Sequence, residues 1–131
     1  MSISEFISSL DFDKKLLEYD LKGSIAHCNM LAKCGIIPAD DSRKIINGLK
    51  GMLADFKKGK LLIKGEDIHM AMEQELIKRI GVLGGKLHTA RSRNDQVVLD
   101  EKLYLKDVLK HNIESIASLV EALKSSAVKY K

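Results

Sequence analysis

Apolar positions recur along this chain at spacings of three and four, and no stretch alternates at a period of two, so the pattern predicts helices throughout. Leu17, Leu21, Ile25, Cys28 and Leu31 form one such stripe. Its helix is predicted to begin after Asp11 or Asp13 and to end before Gly35. Gly23, in the middle, costs about 1 kcal/mol against alanine; it marks a close helix crossing, a nearby ligand, or simply a tolerated glycine. A second helix is predicted after Pro38, the only proline, with Asp40 and Asp41 complementing the dipole of its first turn. Ile45, Ile46, Leu49, Met52, Leu53 and Phe56 line its inner face, and Lys57-Lys58-Gly59-Lys60 closes it as a solvated end. A third, shorter helix is predicted from about Asp67 to Arg79, with Ile68, Met72, Leu76 and Ile80 as its stripe.

Between Gly81 and Asp95 the periodicity fails. From Gln96 to about Val128 there is neither glycine nor proline, and Leu109, Ile113, Ile116, Val120, Leu123 and Ala127 recur at helical spacing. A second stripe of Leu105, Val108 and Leu119 widens the apolar face. Such a helix runs about 50 Å at 1.5 Å per residue, whereas a compact domain of this size is only about 36 Å across. The helix is therefore expected to overhang its own domain and to need partners for its apolar face.

The fold class predicted is all-α. Residues 1–95 would form an N-terminal helical domain ending in a loop at 81–95, and residues 96–131 one long helix. A length of 131 residues is that of one domain, and 45% hydrophobic content with a net charge of +4 argues against disorder. No apolar run approaches the ~18 residues of a membrane span. Met1 to Leu10 carries Glu5 and no basic stretch before an apolar core, so no signal peptide is expected. Cys28 and Cys34 are spaced as neither a zinc site nor a disulfide scaffold. The default is a soluble, cytoplasmic protein. Acidic and basic residues are interspersed, and three Phe and three Tyr are scattered. Nucleic-acid binding is thus permitted but has neither a basic stripe nor a stacking platform behind it.

The candidate chemistry lies in the irregular segment. Lys86, His88, Arg91 and Arg93 fall within eight residues that hold no acid, with Thr89 and Ser92 between them and Asn94 and Asp95 at the mouth of the long helix. Free N–H groups at a helix N-terminus favour an anion. Arginine adds a planar fork that suits a carboxylate or phosphate. The plainer reading is that Ser92, Asn94 or Asp95 caps the helix and the arginines are solvated. His69 precedes Glu73 by one turn, either as a surface pair or as a substrate-contacting histidine whose tautomer a carboxylate fixes. Asp67 suits an N-cap. His27, His111, Ser8 and Ser9 read locally as structural. Pieces of a polar binding site are present, without a nucleophile–base signature.

The run His88-Thr89-Ala90-Arg91-Ser92-Arg93-Asn94-Asp95-Gln96-Val97 strongly resembles the first signature region of argininosuccinate lyases, members of the fumarase/aspartase superfamily related to delta-crystallins. Glu66-Asp67-Ile68-His69-Met70-Ala71-Met72-Glu73 is similar to a second family segment. Tyr19-Asp20, Gly23-Ser24-Ile25-Ala26-His27, Leu31-Ala32 and Gly35-Ile36-Ile37 are similar to a third. The resemblance spans about Phe6 to Lys131. It implies reversible elimination of argininosuccinate to arginine and fumarate, without metal or organic cofactor, by an all-helical N-terminal domain joined to the first helix of a central bundle. Ser92, Arg93 and Asn94 match substrate-contacting positions, Ser9 a serine that contacts the arginine-bearing part, and Asp67 and His69 positions at the site's edge. The resemblance also implies a homotetramer whose active sites draw on more than one subunit.

The departures matter as well. Family members are several times longer and carry a Trp-Gly-Gly-Arg-Phe segment, whereas this chain has no tryptophan. The family's histidine and the flexible loop holding its base serine have no counterpart here. No catalytic residue is therefore expected within the chain, the general acid and base being expected beyond Lys131, and the chain alone is expected to be inactive. The alternative is a non-catalytic, crystallin-like or truncated helical oligomerisation module. Neither nucleic acid nor membrane is expected as a partner.

Overall fold

The computed structural model describes Phe6 and residues 8–130; the N-terminal residues on which the signal-peptide expectation mainly turns lie outside them. A short helix α1 (Leu10–Asp13) and a 3₁₀ turn (Lys14–Leu16) lead into α2 (Leu17–Lys33). Then follow α3 (Ala39–Lys57), α4 (Ile68–Ile80), a 3₁₀ segment (Gly81–His88) and α5 (Arg93–Lys129). Most of the described residues are helical and none lies in a strand, as the periodicity predicts.

The stripes read from the sequence build the core. Leu17, Leu21, Cys28 and Leu31 of α2, Ile45, Leu49 and Met52 of α3, and Ile68, Met72 and Leu76 of α4 are all buried in one cluster, with Ile25, Ile46, Leu53, Phe56 and Ile80 packed partly against it. Two helix ends follow their predicted chemistry. Pro38 precedes α3, with Asp40 and Asp41 in its first turn, and the Asp67 carboxylate caps α4 by accepting from the Met70 N–H at 2.6 Å. Cys28 is buried, Cys34 exposed, and both are free thiols.

Gly23 marks a close helix crossing. A Cβ there would lie 3.0 Å from Leu99 Cδ2 and 3.4 Å from Asp100 Oδ1, so its absence lets α5 approach α2. The segment 81–95 holds more structure than its broken periodicity suggests. Its first eight residues wind as a 3₁₀ helix tucked against α4. There Gly84 is required, because a Cβ would meet the Ile77 backbone at 3.0 Å.

The long helix begins at Arg93 rather than Gln96. Ser92 accepts a hydrogen bond from the Asn94 N–H and caps it, which draws Arg93, Asn94 and Asp95 into its first turn. At 37 residues α5 runs about 55 Å. Only its first part packs on α2 and the Lys14–Leu16 turn. There the Tyr19 hydroxyl donates to Asp107 at 3.1 Å, and the Tyr19 and Tyr104 rings meet edge to face at 5.9 Å. Every described residue from Leu109 onward is exposed, including Ile113 at 68% and Leu123 at 61%. The expected overhang is present, and no helix among the described residues is long and apolar enough to cross a membrane.

Candidate functional site

Where α5 crosses α2 and α4, the side chains that meet are polar. Asp20 and Ser24 lie one turn apart on α2, Gln96 and Asp100 one turn apart on α5, and His69 sits in the first turn of α4; all five are buried. Gln96 Nε2 donates to Asp20 Oδ1 at 2.5 Å, and Ser24 Oγ donates to the same oxygen at 3.4 Å. His69 Nε2 lies 3.0 Å from Asp100 Oδ2. Above them a cavity of about 20 Å³, room for one water-sized group, is lined by Asp20, Ser24, His69, Glu73, His88, Arg91, Arg93 and Gln96, together with apolar neighbours.

The histidine's partner corrects the sequence reading. His69 is not half of a surface pair with Glu73. It is buried against a carboxylate 31 positions away, while Glu73 accepts from Arg93 NH2 at 3.3 Å. The helical spacing of residues 69 and 73 is satisfied, but the tertiary crossing supplies each with a better partner.

The two arginines of the signature run diverge. Arg91, half-buried, turns inward and donates to Ser24 Oγ at 3.0 Å, beneath the cavity floor. Burial lowers its pKa from the ordinary arginine value, opposed by the charges of Asp20 and Asp100. It balances buried carboxylates and is only partly open to solvent. Arg93 stays partly open and is held from two sides, by Glu73 and by Gln96 Oε1 at 3.0 Å. Burial pushes the Asp20 carboxyl up to about 6, with Asp100 adding to the rise and the Gln96 hydrogen bond, His69 and Arg91 opposing it.

The loop between the 3₁₀ segment and α5 is pinned at three points. His27 Nε2 donates to the Thr89 carbonyl at 2.9 Å, Lys86 pairs with Asp41 at 2.6 Å, and Arg91 is anchored inside. Ala90 adopts a left-handed conformation with φ of 55°, the turn that sends Arg91 inward and Ser92 outward. His27, read as structural, thus fixes the loop from below.

Of the residues carried from the resemblance, the structure brings His69 and Arg93 to one cavity. Asp67 does not line that cavity but stands beside His69, its Oδ1 3.9 Å from His69 Nδ1. Ser9 does not line it either; its backbone N–H donates to the Glu66 carbonyl at 2.9 Å, next to Asp67, and its hydroxyl donates to Asp13 at 2.5 Å. Ser92 is exposed and caps α5. Asn94 is exposed too, and opens onto a separate shallow depression with Asp95, Val98, Leu99 and Lys102. Sequence reasoning missed Asp100 altogether and gave Gln96 no role. The available signal was two polar residues four apart on α5, opposite a glycine already suspected of marking a crossing.

Among the described residues, one set could hold a cation: ligand-type atoms of Asp20, His69 and Asp100 lie within 4.8 Å of one another. The set is already engaged, however. His69 and Asp100 are hydrogen-bonded, Gln96 donates to Asp20, and Arg91 supplies the neighbouring positive charge. The donors present fit a hydrogen-bonded network better than a metal centre.

Comparison with known proteins agrees with this frame. A family model described as Lyase matches residues 2–131. An argininosuccinate lyase of Staphylococcus epidermidis is 53% identical over 123 residues, covering 92% of this chain and 27% of that protein. One from Clostridium acetobutylicum is 52% identical over 127 residues, covering 95% and 29%. One from Syntrophobacter fumaroxidans is 53% identical over 109 residues, covering 82% and 23%. The chain spans about a quarter of the length of the curated relatives it matches. With the signature run folded against an all-helical core and the family model matched from residue 2 to the end, this chain belongs to the lyase family.

Proposed function

We propose that this chain works as the N-terminal part of an argininosuccinate lyase, taking part in the reversible elimination of argininosuccinate to arginine and fumarate in arginine biosynthesis. The observation that carries the reading is the similarity, at about half of all positions and over most of the chain, to proteins named for that reaction. Residues 1–95 act as the N-terminal domain and 96–131 as the first helix of a central bundle in a cytoplasmic homotetramer.

The chemistry suits the residues at hand. Removing a proton beside a succinyl carboxylate spreads charge onto that carboxylate as the guanidinium nitrogen leaves. Fixed donors aimed at the growing charge lower the barrier. Arg93, held by Glu73 and Gln96, offers a guanidinium face; Ser92 and Asn94 add neutral donors beside the positive end of the α5 dipole. His69, Asp67 and Ser9 border the same region. These six residues bind and orient, and proton transfer is assigned to groups elsewhere in the assembly.

The test begins with the intact mass of the gene product in its native cells, followed by an assay of that product for argininosuccinate-dependent fumarate release. Asn94→Ala is expected to lower turnover on the order of 10²-fold, as loss of one transition-state donor does, with the oligomer unchanged by sedimentation. Unchanged turnover would remove Asn94 from the site. No release by the wild-type product would favour the non-catalytic oligomerisation module, for which the bare apolar face of α5 is the specific observation.

A further inference from the structure

The buried carboxylate of Asp100 has a place in the site that spacing along the chain does not reveal. Asp100 is 0% exposed and His69 3%. Asp100 Oδ2 meets His69 Nε2 at 3.0 Å, while the opposite ring nitrogen, Nδ1, faces Asp67, whose Oδ1 stands at 3.9 Å, too far for a hydrogen bond. An ionised carboxylate can only accept, so beside the Asp100 carboxylate the nitrogen it touches carries the proton. We propose that Asp100 is a positioning residue: it holds His69 as the Nε2–H tautomer and fixes the ring so that Nδ1 is presented on the side of Asp67.

The proposal rests on the reading that His69 borders the substrate site. Three features of the crossing make Asp100 specific for this task. Gly23 leaves the gap through which its backbone reaches the interior, with Oδ1 only 3.4 Å from where a Cβ would sit. Gln96, one turn earlier on the same face, is committed to Asp20 and Arg93 and does not compete for the imidazole. Asp100 Oδ1 has no hydrogen-bond partner among the described residues, so the histidine is the one group this carboxylate is seen to hold. A histidine fixed by a carboxylate on one nitrogen keeps a single tautomer and a single ring orientation at the other. A ligand N–H donor, from an amide or a guanidinium, would then meet a defined acceptor at Nδ1.

The ring itself reports the arrangement. In the ¹⁵N-labelled 131-residue chain, long-range proton–nitrogen correlation spectra separate the two tautomers of each neutral histidine, and loss of one set in His69→Gln assigns His69. The expected result is an Nε2–H tautomer whose ring proton lies downfield of an ordinary imidazole N–H. It should exchange with water about tenfold or more slowly than in Asp100→Ala, the factor that a charge-assisted hydrogen bond supplies. Asp100→Asn, which keeps the shape and an acceptor oxygen, should keep the fold and lose the downfield position. An Nδ1–H tautomer in the wild-type chain overturns the proposal without any variant. So does a His69 ring that is unchanged in Asp100→Asn while far-UV circular dichroism shows the fold intact. A product that releases no fumarate but shows the expected ring signature would defeat the assigned activity and leave the Asp100–His69 arrangement standing.

Discussion

The two ends of α5 share one helix and have opposite fates. The first part crosses α2, and there the residues that become buried are Gln96 and Asp100, both polar. Beyond Val108 the residues with the better hydrophobic periodicity, Leu109, Ile113, Ile116, Val120 and Leu123, are all exposed. Amphipathic pattern states what a helix needs to have covered, not what its own chain covers. Burial of polar groups, in turn, is tolerated only where each finds a partner. At the crossing most do: Gln96 takes Asp20 and Asp100 Oδ2 takes His69, while Asp100 Oδ1 is left without a partner among the described residues. One half of the helix is built for a site and the other for a surface still to be met.

The contrast breaks most sharply at the bare end. Charging the apolar face with Ile113→Glu and Leu123→Glu should weaken the proposed assembly by more than about 100-fold, since each buried aliphatic side chain is worth ~1.5–3 kcal/mol. Unfolding of the chain itself should move by no more than ~0.5 kcal/mol, as at any exposed position. Sedimentation and thermal melts read the two quantities separately. A chain that unfolds when so charged would have covered that face internally.

The buried end is sharpened by pH. The Asp20 carboxyl rises from 3.8 to about 6 in the native chain. Between these values the folded state binds more protons than the unfolded one, so stability falls as pH rises from about 4 to 6. The loss is on the order of 2–3 kcal/mol and is complete above that range. Asp20→Asn keeps an acceptor for Gln96 and should flatten the slope, leaving the variant more stable near neutral pH. Urea midpoints at about pH 4.5 and 7.5 decide it; parallel losses in both proteins would assign the titration elsewhere.

Smaller effects bear on how the crossing is spaced. Gly23→Val places methyl groups against Leu99 and the Asp100 carboxylate, and should destabilise by about 1–3 kcal/mol through overpacking. Guanidinium chloride unfolding measures it, and a neutral result would mean that α5 shifts freely on α2. Ala90→Gly relieves a left-handed alanine but adds chain entropy to the unfolded state, so a gain of only about 0.5 kcal/mol is expected. The same titration detects it, and a loss would show that the loop's pinning by His27 and Arg91 already absorbs the strain.

Legibility followed the range of the interaction. The stripes of α2, α3 and α4, the Asp67 cap and the overhang of α5 were readable, because each depends on residues within a turn or two. The start of α5 lies three residues before Gln96, since Ser92 is the one of the three candidate caps, Ser92, Asn94 and Asp95, that caps it. Within the site, the signature run marked the right stretch, yet His69 was paired with the acid one helical turn on, Glu73, and Arg91 and Arg93 were not told apart. Partners 31, 67 and 20 positions away supplied those answers.

By itself, the sequence determined an all-helical chain, a core of three amphipathic helices, a long helix that overhangs them with an apolar face and a polar signature segment of the lyase family. Periodicity and capping are local, and a one-dimensional string carries them whole. Only the tertiary structure decided that Arg91 turns inward and Arg93 outward, that Gly23 is the gap for α5, and that His69 belongs to Asp100. Those outcomes depend on which helix faces which across the crossing. A buried charge takes whatever partner that crossing brings within hydrogen-bond reach.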